Sequence, residues 1–262
     1  MEILFVLAGA VVGFVIGLTG IGGGSLMTPI LVLGFGISPA IAVGTDLLYA
    51  AITKCSGVFF HQRHGTVDWK VVMLLGLGSI PASVATIILL DHFRGHGFNY
   101  EKLMTLTLSI MLIITSIVIA IKNRLLEFIH SSPLNNGATA GLLNTWRPYI
   151  TTLAGTALGV LVTISSVGAG AIGAAILFLL YPRKKAISIV GTDLAHAVPL
   201  TAVAGIGHMH FGSVDVSLLV GLLCGGIPAI YLGSYLGKSL PDRVLRPLVS
   251  LILLALGIRL AV

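Results

Sequence analysis

Two acidic residues stand where a charge is costly. Asp46 and Asp193 each lie in an apolar stretch, inside the same five-residue string Val-Gly-Thr-Asp-Leu, at residues 43–47 and 190–194. A carboxylate at the centre of a membrane helix costs about 2.5 to 3.5 kcal/mol on insertion scales, so such a group faces a cavity or a partner. There it can carry a proton or, beside Gly44-Thr45 and Gly191-Thr192, cap backbone amides and pin segments together. Asp46, Ala50 and Lys54 follow at i, i+4 and i+8 on one helix face. Lys54 can neutralise Asp46 or attract an anion. The second string has Thr201 at the position of Lys54 and adds His196 one turn beyond Asp193. Any site the two strings build is therefore asymmetric. Asp46, Asp193 and His196 are the proton-coupling candidates, with the Thr45 and Thr192 hydroxyls and Lys54 as substrate ligands.

Glycine and serine runs precede both strings. The first holds Gly22, Gly23, Gly24 and Ser25, and the second Ser165, Ser166, Gly168 and Gly170. A helix broken inside a membrane leaves unpaired N–H groups and the positive end of a helix dipole, both favourable to an anion. These eight residues complete the substrate-binding candidates. The alternative is that the glycines only let helices approach closely. His61, His64, His208 and His210 have no Cys, Asp or Glu at ligand spacing, so they read as interfacial histidines rather than a metal site. Phosphate-loop and nucleophile-elbow strings are absent as well. Neither a cofactor nor a metal is expected.

The elements that must position these groups are membrane segments. Of the 262 residues 56% are hydrophobic and only 9% charged, with a mean hydropathy of +1.06, against about 25% charged in soluble domains. The formal charge of +6 reflects basic residues lying between apolar runs, which orient a membrane protein rather than bind nucleic acid. Cys55 and Cys224 fall in apolar runs that the repeat does not match, so no disulfide framework is expected.

The shared strings belong to a longer repeat. At a constant offset of 147 residues the register holds to Ala82/Ala229, through His61/His208, Gly65/Gly212, Val67-Asp68/Val214-Asp215 and Ile80-Pro81/Ile227-Pro228. The pattern predicts an all-α integral membrane protein of two inverted-topology repeats, each with about five segments and a short or broken helix. The first repeat spans 1–121, a polar linker 122–148, and the second repeat 149–262. The short segments fall at 25–36 and 171–181. An odd number of crossings per half inverts the second copy. Lys and Arg then place residues 63–70, 122–147, 183–185 and 238–246 in the cytoplasm and both termini outside.

The string from Gly17 to Gly24 leading to Pro29, Pro39-Ala40 before Gly44-Thr45, Thr53-Lys54 with His61, Val67-Asp68-Trp69, Gly78-Ser79-Ile80-Pro81 and Gly191-Thr192-Asp193 together resemble the sulfite exporter TauE/SafE family of membrane permeases. The resemblance implies export of a sulfur-containing anion, sulfite or a sulfonate, across the cytoplasmic membrane of a prokaryote. Ser166, Ala169 and Ala171 depart from the first half's Gly20, Gly23 and Ser25. The expected partners are a small anionic substrate and the lipid bilayer, while the sequence sets no oligomeric state. Two other functions compete with an anion carrier that Asp46, Asp193 or His196 would couple to protons: a cation- or proton-coupled carrier of another substrate, and a membrane enzyme using His196 and Asp193. The enzyme reading lacks a nucleophile beside that pair.

Overall fold

The computed structural model describes residues 2–19, 24–95, 100–131, 138–236 and 242–261. Among them are ten α-helices and no strand: α1 (Glu2–Thr19), α2 (Gly24–Phe35), α3 (Pro39–Arg63), α4 (Trp69–Gly95), α5 (Tyr100–Ser131), α6 (Ala138–Ser165), α7 (Ala171–Leu180), α8 (Ala186–His210), α9 (Val216–Leu236) and α10 (Asp242–Ala261). Stretches within α4, α5, α6, α8 and α9 are each long and apolar enough to cross a membrane. The two short helices, α2 and α7, fall where the sequence places them. α3 is long enough at 25 residues, but Asp46 and Lys54 make it the polar exception.

The stretch 122–148, expected as the polar linker between the halves, takes in the end of α5, which continues to Ser131, and the start of α6 at Ala138, so most of it is helical. The first charges mark where an apolar span ends, but Lys, Arg, Leu and Glu are good helix formers and let the helix continue.

Polarity is distributed inside out relative to a soluble protein. Large apolar side chains such as Leu77 and Ile88 of α4, Leu106 of α5 and Leu251 of α10 are exposed, whereas Asp46, Asp193, Lys54 and His196 are buried. Lipid accounts for that surface, because water would penalise it.

Helix contacts fix the arrangement. α1 and α9 run parallel, with Gly9 on Leu222, Gly13 on Gly226 and Gly17 on Ile230. α4 and α6 do the same, through Gly155 on Leu75 and Gly159 on Ser79. At Gly78 and at its repeat equivalent Gly225 a Cβ would overlap a neighbouring backbone carbonyl, of Thr152 and Val6 respectively. α3 and α8 run antiparallel, with Gly44 against His208 and Ser213, Leu48 against Gly205, and His61 against Gly191. Between α5 and α10, also antiparallel, Ser109 donates to the Gly257 carbonyl and Ser116 to that of Ser250, each at 2.8 Å. Exchanging the halves maps α1/α9 onto α6/α4 and leaves α3/α8 and α5/α10 as self-paired couples.

Candidate functional site

Each half places its Gly-Thr-Asp string in the buried part of a central helix, α3 or α8. The glycines are needed there because the two helices touch: Gly44 receives Ser213 and His208, and Gly191 receives the His61 ring. The two threonines act across the halves. The Asp215 amide donates to Thr45 Oγ1 at 3.2 Å and the Asp68 amide to Thr192 Oγ1 at 3.0 Å. Thr192 also donates to the Ser188 carbonyl at 2.6 Å. Both hydroxyls thus tie a central helix to the residues that open α9 and α4, whereas the sequence left a capping role open for the aspartates beside them.

The aspartates differ. Asp46 is fully buried and its Oδ2 accepts from Thr28 Oγ1 of α2 at 2.5 Å and from Ser166 Oγ at 3.0 Å. Its Oδ1 has no partner. Asp193 is 3% exposed and its Oδ1 is likewise buried without a partner, lying against Gly173 where a Cβ would strike it. His196, one turn on, shares a 2.8 Å hydrogen bond between its Nε2 and Ser79 Oγ of α4, leaving Nδ1 unpartnered.

Lys54, 8% exposed, donates from Nζ to the Ala169 carbonyl at 3.0 Å. It feels the charges of both Asp193 and Asp46 but forms a contact ion pair with neither. With both carboxylates ionised the cluster holds two negative charges against one positive. Burying a surplus charge is expensive, so the cluster favours taking up a proton or a cation.

The backbone break between α6 and α7 adjoins the cluster. Ser166 has φ 59°, Gly168 125° and Gly170 139°. A left-handed serine costs about 1–2 kcal/mol, and its hydroxyl bond to Asp46 helps to hold it there. Ser165 is turned away from the carboxylates, donating to the Leu161 carbonyl at 2.7 Å and accepting from the Val167 amide. The structure therefore gathers Asp46, Lys54, Asp193, His196, Ser166, Gly168 and Gly170 and sets Thr45, Thr192 and Ser165 to structural bonds. Gly22 and Gly23 lie outside the described residues; Gly24 opens α2, and Ser25 is buried one turn before Thr28.

Three residues of the cluster went unread in the sequence. Tyr49 is buried with an unpartnered hydroxyl facing Gly226, and the offset of 147 pairs it with His196, a signal that was present. Thr28 and Ser79 are hydroxyls in apolar helices with nothing in their spacing to mark them. His208 also departs from the interfacial reading: it is 2% exposed, and its Nε2 donates to the Thr163 carbonyl at 2.9 Å. His64 and His210 are exposed.

One loop contact lies outside the spans. Asp68 Oδ1 accepts from the Lys70 amide at 3.0 Å at the start of α4, and its other oxygen pairs with Lys184 from the α7–α8 connection. Burial alone would raise the Asp68 carboxyl, but the Lys184 hydrogen bond and charge and the Val71 and Lys70 amides outweigh it, holding the group below 3.8.

An apolar exterior, many apolar helices, a broken helix and unsatisfied carboxylates between antiparallel central helices define a multi-pass membrane transporter. The chain belongs to the sulfite exporter TauE/SafE family, whose model matches residues 5–260. It is similar to the probable membrane transporter protein YjnA of Bacillus subtilis, 37% identical over 99% of this chain and 100% of that one. The probable membrane transporter protein YdhB of the same organism is 28% identical over 95% of each chain. A probable membrane transporter protein of Methanocaldococcus jannaschii is 27% identical over 97% of this chain and 93% of its own length. No solved structure matches.

Proposed function

We propose that this transporter exports a small sulfur-containing anion, sulfite or an organosulfonate, across the cytoplasmic membrane of a prokaryote, with protons as the coupling ion. The observation that carries the reading is the pair of buried, partly unsatisfied carboxylates sharing one lysine beside the α6–α7 break. An anion entering a cluster of net charge −1 would be repelled, so it enters only with compensating positive charge, and protons on the carboxylates supply it. Lys54 and the amides that open α7 then meet the anion. Asp46 has two hydroxyl donors to solvate its charge, whereas Asp193 Oδ1 has none, which makes Asp193 the proton carrier. The family's name supports a sulfur oxyanion, and the bacterial and archaeal relatives support a prokaryotic membrane.

The antiparallel runs of α3 against α8 and of α5 against α10 support an inverted repeat, and the basic loops support a cytoplasmic Lys184 side. A cysteine in the 183–185 loop labels from the cytoplasm and one at Gly95 from outside; labelling from one common face contradicts the inversion.

Purified protein in liposomes loaded with sulfite, thiosulfate or a sulfonate tests the substrate. Flux of one of these that follows an imposed pH gradient supports the proposal, and no flux of any of them sinks it. The two unpartnered Oδ1 atoms favour a second reading, in which a metal cation is held directly by both carboxylates. Flux that requires sodium at fixed pH selects that reading.

A further inference from the structure

The repeat makes the two central helices directly comparable, and they are not held alike. At the offset of 147, Tyr49 corresponds to His196, Gly226 to Ser79, and His61 to His208. On α8 both histidines reach outward to the flanking pair: His196 bonds Ser79 of α4 at 2.8 Å and His208 donates to the Thr163 carbonyl of α6 at 2.9 Å. On α3 the same two positions make neither bond. The Tyr49 hydroxyl meets Gly226, which has no side chain to answer it, and is left unpartnered. His61 turns back to Thr66 of its own loop, Nδ1 to Oγ1, at 2.8 Å.

The remaining ties of α3 are of a different kind. Thr45 and Thr192 make equivalent bonds and cancel in the comparison. Among the described residues, what is left on α3 is Asp46 to Thr28 and Ser166, and Lys54 to the Ala169 carbonyl. Each of these uses a charged group of the proposed transport site. Filling or neutralising the site therefore loosens α3, while the bonds of His196 and His208 to α4 and α6 do not involve those charges.

We infer that Ser79 and His208 are positioning residues that anchor α8, and with it Asp193, to α4 and α6, and that α3 is the arm that moves against α1 and α9 during transport. This rests on the transport reading, but not on the identity of the anion. The equivalent of Ser79 in the second half is Gly226, which offers α3 no hydroxyl, so the motion cannot be shared equally by the two repeats. Alternating access here is one-sided, a hinge of one arm on a fixed frame.

Distances between spin labels test this without reference to flux. In a variant with Cys55 and Cys224 replaced by serine, labels go to Gln62 and Tyr235, joining α3 to α9, and separately to Met209 and Ile88, their repeat equivalents joining α8 to α4. All four positions are exposed. In liposomes the first pair should show two distances whose populations change on adding sulfite or shifting pH, and the second a single narrow distance in every condition. Equal breadth in both pairs, or a change confined to Met209/Ile88, overturns the inference. Ser79→Ala combined with His208→Leu should give the second pair a new distance, and His208→Gln, which keeps a donor for the Thr163 carbonyl, should restore the single one. An unchanged second pair in Ser79→Ala/His208→Leu also overturns it. A breadth difference that ignores sulfite keeps the anchoring and counts against sulfite alone.

Discussion

Asp46 and Asp193 occupy the same place in the two halves of one chain, yet their surroundings have diverged. Asp46 is solvated by Thr28 and Ser166, one hydroxyl from its own half and one from the other. Asp193 Oδ1 is pressed on Gly173 with no donor. The framework around them has not diverged in the same way: Gly78 and Gly225, repeat equivalents, both sit on a neighbouring backbone carbonyl. Duplication has kept the packing paired while the chemistry has become asymmetric.

The largest effect expected is where the halves remain equal. Gly78→Val and Gly225→Val each drive a branched side chain into a helix backbone, at or above the upper end of the ~1–3 kcal/mol that overpacking costs. Both should lose most of their folded, monodisperse protein in detergent. A loss in one half only would break the equivalence of the two scaffold pairs.

Next comes Gly173→Ala, which has no charge change and puts a methyl group against Asp193 Oδ1. Flux should disappear while the protein still inserts and purifies, because the unpartnered oxygen is covered. Normal flux would mean that this oxygen is not on the path.

Thr28→Val with Ser166→Ala removes both hydroxyls from Asp46 and makes its surroundings resemble those of Asp193. Hydrogen bonds contribute about 0.5–1.5 kcal/mol, and about 1.5–3 when they reach a charged group, so stability should fall by that order, read as a lower thermal midpoint in detergent. An unchanged midpoint would mean that the two hydroxyls do not hold Asp46.

The smallest effect is at the loops. Asp68→Ala removes a helix cap and the Lys184 pair, and Asp215→Ala removes a cap alone; each should cost about 1 kcal/mol, Asp68 somewhat more. Because the Asp68 carboxyl is held below its ordinary value, its contribution is fully present above that value and is lost as pH falls through the folded-state one. The thermal midpoints of the two variants, compared at neutral and strongly acid pH, should converge in acid.

Helix number, the two short helices and the central strings were legible because they are written as period and composition, which fix what a membrane segment can be. That the linker is largely helical was not legible, because charge ends a span without ending a helix. At the site, Asp46, Lys54, Asp193 and His196 stood out as titratable groups in apolar runs. Thr28 and Ser79 did not, since a hydroxyl in a membrane helix bonds its own backbone as readily as a partner, and only the packing of α2 and α4 shows which it does. The bonds of Thr45 and Thr192 were hidden for the converse reason: beside an aspartate they read as ligands, and only the packing shows that their hydroxyls also meet the amides of Asp215 and Asp68.

If Asp193 carries the proton as proposed and Asp46 does not, amide substitutions separate the two, because they keep size and an acceptor while removing the charge and the proton. Sulfite flux is measured in liposomes against an imposed pH gradient for Asp46→Asn and Asp193→Asn. Asp193→Asn should still bind sulfite but no longer respond to the gradient, whereas Asp46→Asn should keep a gradient response at reduced flux. Normal proton coupling in Asp193→Asn would contradict the proposal.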